Sequence, residues 1–577
     1  MERQISEQED RTQAPKAARE LDRPEPGKGK TRSGRSVRLP RRYANVLAAH
    51  DECEPKTYAE AIEGPEEGLW QSAMDDEMLS HSENQTWDVV DLPPGEKVLS
   101  GKWVYKLKRG PQGEIVRHKA RWVVRGFEQR EGIDYDEVFA AVVKPVSFRP
   151  IFALAAIHDL EIEQMDVKTA FLHGKIDETI YVKMPTGYGQ DGKVCRLNKG
   201  LYGLKQAPRM WYETLQSFLE SQGFSRTEAD HSVFVTQRGV QGLVVAVYVD
   251  DLLIVGKDQH AISDLKEALH QKFSMTDCGP VGHYLGMVVT RDRVAGTITL
   301  TQAGYVRKIL KEFGMDDAKP AATPMEAGGV SLKKRSDKTA APVEVARYQS
   351  AVGSLMYLMT TTRPDIAFAL SVVARFAQSP DDSHWKAVKR IMRYLRGTES
   401  LGITLGSCKT GLTGYSDADW GGDPATRRST SGYIFMMGGG PISWCSKRQA
   451  TVALSSCEAE YIALTQATKE AVWLRLLLRE LGVPAAEPTR VLADNQGAMA
   501  LAKNPEFHTR TKHIDIQYHF VRQEVGKKRI QLEFVGSESM LADCLTKALP
   551  ATKFQGFLDK TQKGGLGPDE KDCQDRS

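Results

Sequence analysis

Between Leu243 and Gly256 the chain reads LVVAVYVDDLLIVG. Apart from Asp250 and Asp251 it is apolar, aromatic or glycine, and rich in β-branched residues, as in strands buried on both faces. The run is too long for one typical strand. It therefore predicts a hairpin with Tyr248–Asp251 at or near the turn. Asp suits a turn because its carboxylate accepts from nearby backbone amides. That explains one Asp. It explains two poorly, since no Gly or Asn stands beside them for a tight primed turn. Adjacent strand residues point to opposite faces, and an unpaired buried carboxylate is costly. A divalent cation would remove that cost. This segment alone leaves both a plain turn and a metal-holding pair open.

The rest of the pattern supplies neighbours. EPKTYAEAI opens a helix around Pro55, Tyr58 and Ala59, and a second runs through LWQSAMDDEMLSH. TWDVVDLP, KVLSGKWVYKLKR and HKARWVVRGF form a β-rich block. PVSFRPIFALAAIHDL reads as a helix, and EIEQMDVKTAFLHG as a strand ending in a loop. AISDLKEALHQKF has the apolar spacing of an amphipathic helix. GHYLGMVVTRD and GTITLTQ predict a small hairpin, with helices over 344–378 and 383–396. After a break near LGSCKTGLTG a new α/β unit begins. Its strands are LTGYSDADW, SGYIFMMGG and PISWCSKRQ, followed by the helix SSCEAEYIALTQATKEAVWLRLLLREL, the strand RVLADN and a further helix. The tail after Ala551 reads as polar and loose. No internal repeat is evident.

Composition narrows the class. With 577 residues there is room for several domains. The net charge of +3, with 27% charged and 41% hydrophobic residues, is that of an ordinary globular protein. Its eight cysteines form no C-x-x-C pair, which argues against a zinc or disulfide framework and for reduced thiols in an intracellular compartment. The N-terminus has no apolar core for a signal peptide, and no window reaches the length of a membrane span. Residues 1–50 are expected to be disordered. Within them GKGKTRSGRSVRLPRRY is basic and free of acids. It fits a solvated linker and a phosphate-touching arm equally well.

A two-metal phosphoryl-transfer site needs carboxylates from separate elements, with the cations about 4 Å apart. Asp166 ends the apolar strand in QMDVKTAFLHG. Alone it reads as a cap or strand-end residue. Beside Asp250 and Asp251 it is a candidate third ligand. YVDD in an apolar hairpin resembles the reverse transcriptase motif. The series KTYAEAI, GKWVYKLK, HKARWVVRGFEQREGIDY, QMDVKTAFLHG, LNKGLYGLKQAPRMWY and AVYVDDLLIVG resembles the Pol polyproteins of copia-like LTR retrotransposons over about 55–550. YVDD alone is a weak signal, whereas the ordered series is very specific.

The resemblance implies an α/β and α+β multidomain fold, a right-hand polymerase followed by an RNase H-like domain. The expected divisions are 1–54 (basic segment), 55–275 (fingers and palm), 276–407 (thumb and connection), 408–550 (RNase H-like) and 551–577 (polar tail). It also implies roles. Asp166, Asp250 and Asp251 would hold two Mg²⁺ ions, with Mn²⁺ as a substitute, while a primer 3′-hydroxyl attacks a dNTP. Lys119 and Arg121 would approach the triphosphate, though both also read as exposed strand charges. Phe171 would gate the sugar, though it also reads as a core residue. Gln206 would line the nucleotide pocket. Tyr248 would lie under the primer terminus, and Leu285, Gly286 and Met287 would form a primer grip.

A second acidic set lies downstream: Asp417 in YSDADW, Glu460 in SSCEAEY, Asp494 ending VLAD, and Asp543 in LADCLTKAL, which reads as opening a late helix. Acids from strand, helix, strand end and helix match the RNase H arrangement, which again implies two Mg²⁺. Glu458 fits the capping box S-x-x-E and so has a structural task. Asp419 reads as a neighbour of Asp417, and Asp515 as a rival to Asp543. VGSESML lacks the His that cellular RNases H carry before the last acid, and His513 and His519 lie well upstream.

No D-[ST]-G protease triplet, integrase zinc module or nucleocapsid knuckle is present, so the resemblance is to the last third of such a polyprotein. The expected function is RNA-directed DNA synthesis with cleavage of RNA in hybrids. The alternative is a non-catalytic nucleic-acid-binding remnant. Implied partners are RNA template, DNA primer or nascent DNA, RNA–DNA hybrid and dNTPs, with no membrane, and association with integrase or capsid proteins of the same element. The implied location is the cytoplasm, within a virus-like particle, or the nucleus.

Overall fold

A computed structural model describes residues 54–109, 114–138, 140–328, 332, 342–503 and 515–562. The basic segment 27–43 lies outside the described residues.

Helix α1 (Glu67–Glu83) packs on a long hairpin, β1 (Gly101–Arg109) and β2 (Ile115–Val124). Alternate residues of β1 point inward, so Trp103, Tyr105 and Leu107 meet Trp70 and Met74 of α1. Helix α2 (Pro145–Ile157) begins at a proline, whose missing N–H is harmless in the first turn.

The central sheet is antiparallel. It holds β3 (Glu161–Val167), β4 (Val233–Val235), β5 (Leu243–Tyr248), β6 (Asp251–Gly256) and β7 (Met275–Pro280), with Ser225–Arg226 at one edge. The spatial order is β7-β3-β6-β5-β4-(225–226). Both faces are covered. Val245, Val247, Leu252 and Ile254 face α3 (Ala207–Ser221) and α4 (Gln259–Lys272). Val244, Ala246, Leu253 and Val255 share a core with α2. This is why LVVAVYVDDLLIVG shows no apolar–polar alternation.

The hairpin β8 (Met287–Asp292) and β9 (Thr297–Thr301) pairs onward with β10 (Gly402–Leu405). The helix expected over 344–378 is broken. It ends as α5 (Pro342–Thr361), turns at Pro364–Ile366 and resumes at Ala367–Val373. Pro364 disfavours helical backbone at the residue before it. Helix α6 (Asp382–Gly397) follows.

The C-terminal sheet holds β11 (Thr413–Ala418), β12 (Thr430–Met437), β13 (Gly440–Arg448), β14 (Thr489–Ala493) and β15 (Ile530–Phe534), in the order β13-β12-β11-β14-β15. Helix α7 (Ser456–Glu480) packs on it.

One expectation is corrected. The tail is not loose up to residue 561: Ala551–Thr561 is a helix, α8, that buries Phe554, Phe557, Leu558 and Thr561. Their i, i+3, i+4, i+7 spacing makes one apolar stripe in an otherwise polar segment. Across the composition break near 408 the core is continuous. One cluster runs from Phe148 and Val244 to Phe435, Ile442, Tyr461 and Leu474. Arg149 of α2 is fully buried, donates to the carbonyls of Ile442 (2.7 Å) and Thr360 (2.6 Å), and lies 3.8 Å over the Trp444 ring. Trp473 of α7 donates to the Ala229 carbonyl at 3.0 Å. Among the described residues no helix is long and apolar enough to cross a membrane.

Candidate active sites

The first acidic site sits where β3, β5 and β6 end together. Asp166 and Asp251 are direct cross-strand partners, and Tyr248 pairs with Asp251, leaving Val249 and Asp250 as the two-residue turn. A turn this tight needs a left-handed residue, and Val249 adopts φ +57°. Valine is an unexpected occupant here, since Gly or Asn is usual. Burial raises the Asp166 carboxyl, and Asp250 beside it adds to the rise. Asp251 is pushed up to about 6 by burial and by Asp250 and Asp166, against a hydrogen bond from Gln164. The three acids are neighbours, but they do not converge as tightly as the second set below.

Cations approach from β2. Lys119 and Arg121 both pull the Asp166 carboxyl down, so their charge reaches it. Burial, with Arg121 and Lys108, lowers the Lys119 ammonium below the usual lysine range. The Arg121 guanidinium lies 4.4 Å over the Tyr202 ring, whose other ring neighbour is Phe171 at 4.8 Å. Sequence reasoning missed Tyr202. Its signal was the pair of glycines around it in KGLYGLK. Gly203 has φ +96°, and a Cβ there would collide with the Val124 carbonyl, so the loop is held close against β2. Phe171 packs against the cores on both sides of this site, as a gate or a plain core residue would.

Two expected contacts lack an exposed side chain. Gln206 is fully buried (0% exposed). Its amide accepts from Gln129 (2.9 Å) and donates to the Asp134 carbonyl (2.8 Å), so it braces the 126–135 loop. Met287 is likewise fully buried as a core residue of β8. Strand alternation turns it inward, while Leu285 and Gly286 form a turn with both φ positive. The Leu285 carbonyl accepts from the Tyr357 hydroxyl. Tyr248 is exposed at the end of β5.

The second site gathers Asp417 on β11, Glu460 on α7 and Asp494 at the end of β14, with ligand atoms all within 4.8 Å of one another. Among the described residues no other group of three converges this tightly. Burial raises Asp417; Lys547 and the Thr546 hydroxyl pull it back, and Asp543 and Asp494 push it up. Burial, then Asp417 and Asp494, hold Glu460 well above the usual carboxylate range. Thr546 donates to the Asp417 carboxylate, a partner invisible in the sequence 129 residues earlier.

Asp543 departs from expectation. It lies in a short 3-10 turn, Leu541–Leu545, rather than opening a helix, with Pro550 soon after to bar continuation. Fully buried, its oxygens face Lys547 (2.7 Å) and Lys553 (2.6 Å), outside the three-acid group. Its rival Asp515 starts the helix Asp515–Gly526, but its side chain lies outside the described residues. Glu458 does act at the helix start: its carboxylate accepts from the Leu454 amide (2.8 Å), and its own amide donates to Ser455 Oγ (3.1 Å). Asp419 accepts from the amides of Gly422 and Thr430, both at 3.0 Å, which is a loop-holding task.

Comparison with known proteins gives the family. The family described as reverse transcriptase (RNA-dependent DNA polymerase) matches residues 84–327. The retrovirus-related Pol polyprotein from transposon TNT 1-94 of Nicotiana tabacum is 46% identical over 525 residues, 89% of this chain and 39% of that polyprotein. The chain thus spans less than two fifths of that relative. The putative transposon Ty5-1 protein of Saccharomyces cerevisiae is 34% identical over 313 residues, 53% of this chain and 100% of its own length. A foamy viral protease-reverse transcriptase, solved in complex with dsDNA, aligns at a TM-score of 0.46 and 12% identity, over 81% of this chain and 83% of its own. The sequence matches and the ordered motifs agree: this chain belongs to the copia-type transposon Pol polyproteins and carries their reverse transcriptase domain.

Proposed function

We propose that the chain copies RNA into DNA by two-metal phosphoryl transfer at Asp166, Asp250 and Asp251, and cleaves RNA in RNA–DNA hybrids at Asp417, Glu460 and Asp494. The observation that carries the first part is the Asp166–Asp251 cross-strand pair with Asp250 in the adjoining turn. The convergence of three carboxylates within 4.8 Å supports the second.

Both donor sets suit Mg²⁺, a hard cation that takes oxygen ligands. In each, burial first and neighbouring carboxylates second raise the acids, and a cation would offset both. Bound there, such ions would supply charge neutralisation for the attacking and leaving oxygens. The chain's own residues do the remaining work. Lys119 and Arg121 attract the triphosphate, and the Tyr202–Phe171 pair shapes the sugar end. Tyr248, exposed beside the acids, is placed to touch the primer. In the second site Asp543 takes a supporting part, anchoring Lys547 beside the acids. RNA template, DNA primer, hybrid and dNTPs are the proposed ligands.

The test is primer extension on poly(rA)/oligo(dT) with Mg²⁺, run beside cleavage of a labelled RNA–DNA hybrid by the same preparation. Extension lost in Asp250→Asn and cleavage lost in Asp417→Asn support the reading. A wild-type chain that binds duplex yet performs neither reaction would establish the rival, a nucleic-acid-binding remnant.

A further inference from the structure

The turn that carries Asp250 is held by a side chain from another element. We propose that Trp211 is a positioning residue for the polymerase site, its indole fixing a backbone conformation that Val249 itself disfavours. The inference rests on the polymerase reading above and adds a residue that touches none of the reacting atoms.

Val249 has φ +57°. A β-branched side chain is a rare occupant of that region. Such strain persists only where the surroundings over-determine it. Here two hydrogen bonds do so. Trp211 Nε1–H donates to the Val249 carbonyl at 2.6 Å, and the Val167 amide donates to the Asp250 carbonyl at 2.8 Å. One bond ties the turn to α3. The other ties it to the strand that carries Asp166. The peptide groups on both sides of Asp250 are therefore pinned.

Trp211 is itself closely packed. It is 1% exposed, with Phe273 and His173 against its ring at centroid distances of 5.2 and 5.8 Å. A glycine at 249 would reach the same φ without strain. With valine, the turn needs its clamp. Loss of the indole N–H lets Val249 relax to negative φ, which rotates the peptide leading into Asp250 and swings its carboxylate away from Asp166 and Asp251. Only a fraction of molecules is then competent, and turnover falls with that fraction. Nucleotide affinity in competent molecules is unchanged, because no nucleotide contact is removed.

The experiment is steady-state extension of oligo(dT) on poly(rA) by the full chain, with kcat and KM for dTTP measured separately. Trp211→Phe keeps a ring in place and deletes the N–H. The expected result is kcat lower by about five- to tenfold with KM within about twofold, the scale of one lost hydrogen bond. Adding Val249→Gly to Trp211→Phe should restore most of the lost kcat. A merely structural tryptophan would not be rescued by a turn glycine. Should Trp211→Phe melt too low to assay, benzothienylalanine at 211 replaces only the N–H by sulfur, and the same comparison applies. Wild-type kcat in the N–H-deleted protein overturns the inference and leaves the polymerase reading standing, and so does absence of rescue. An inactive wild type removes both.

Discussion

Asp166 of β3 and Asp251 of β6 stand directly opposite each other across an antiparallel strand pair. Residues so paired put their side chains on the same face, a few ångströms apart. A register slip of one residue would turn one carboxylate to the other face, into an apolar core. The pairing of Leu252 with Met165 and Ile254 with Glu163 fixes that register.

Asp250→Asn is expected to abolish primer extension while hybrid cleavage stays near wild type. Asp250 lies in a turn and contributes to no core cluster, so the substitution leaves the shared core intact. Parallel assays on one preparation check this. Loss of both activities in a normally melting protein would contradict two separate sites.

The pH dependence of the second site has a definite sign. Asp417 and Glu460 have folded-state pKa values raised above their unfolded ones. Their protonation stabilises the fold fully below the unfolded values, and that stability is lost as pH rises through the folded ones. Metal-free protein is thus expected to melt lower at pH 8 than at pH 5 on this account, and Mg²⁺ to raise the melting temperature more at pH 8. Glu460→Gln should raise the metal-free melting temperature at pH 8 and diminish the Mg²⁺ effect. Calorimetric melting across pH with and without Mg²⁺ measures it; an equal Mg²⁺ shift at both pH values would refute it.

Glu458→Ala and Glu460→Gln should separate cleanly. The first removes a helix-start acceptor and should cost about 1 kcal/mol of stability with cleavage retained. The second removes a proposed ligand and should lower cleavage by orders of magnitude. Comparable cleavage rates in the two would reverse the assignment.

Phe171→Ala is expected to raise the use of rGTP relative to dGTP in primer extension, because the ring beside Tyr202 is the proposed barrier to a 2′-hydroxyl. Some loss of stability should accompany it, since Phe171 packs against two cores. An unchanged ratio with lowered stability would mark Phe171 as a core residue only.

Phe554→Ala should destabilise the protein by about 3–5 kcal/mol, the usual result of deleting a buried aromatic ring. Phe554 stacks edge-on with Tyr394 of α6, and the same cluster reaches Leu545 beside the second acidic site. Chemical denaturation measures the loss. A change of a few tenths would show α8 to be only loosely attached.

The apolar run 243–256, broken by two acids, was enough to read a buried hairpin and its turn, because strand composition and length are local properties. The chain order Asp417, Glu460, Asp494 likewise marked acids on a strand, a helix and a strand end, and the cap task of Glu458 followed from a spacing of three residues. What the tertiary structure alone decided are relationships between distant segments. Gln206 is buried because Gln129 and Asp134, more than 70 residues away, return to it. Met287 turns inward through the face its strand presents, and Asp543 is neutralised by Lys553 from a helix that looked like a loose tail. The strain at Val249 could not be read from a sequence window at all, since valine gives no sign of a left-handed turn. It exists because an indole on α3 and an amide on β3 meet that turn from two sides, and hydrogen bonds between such remote elements are set by the packed fold rather than by local propensity.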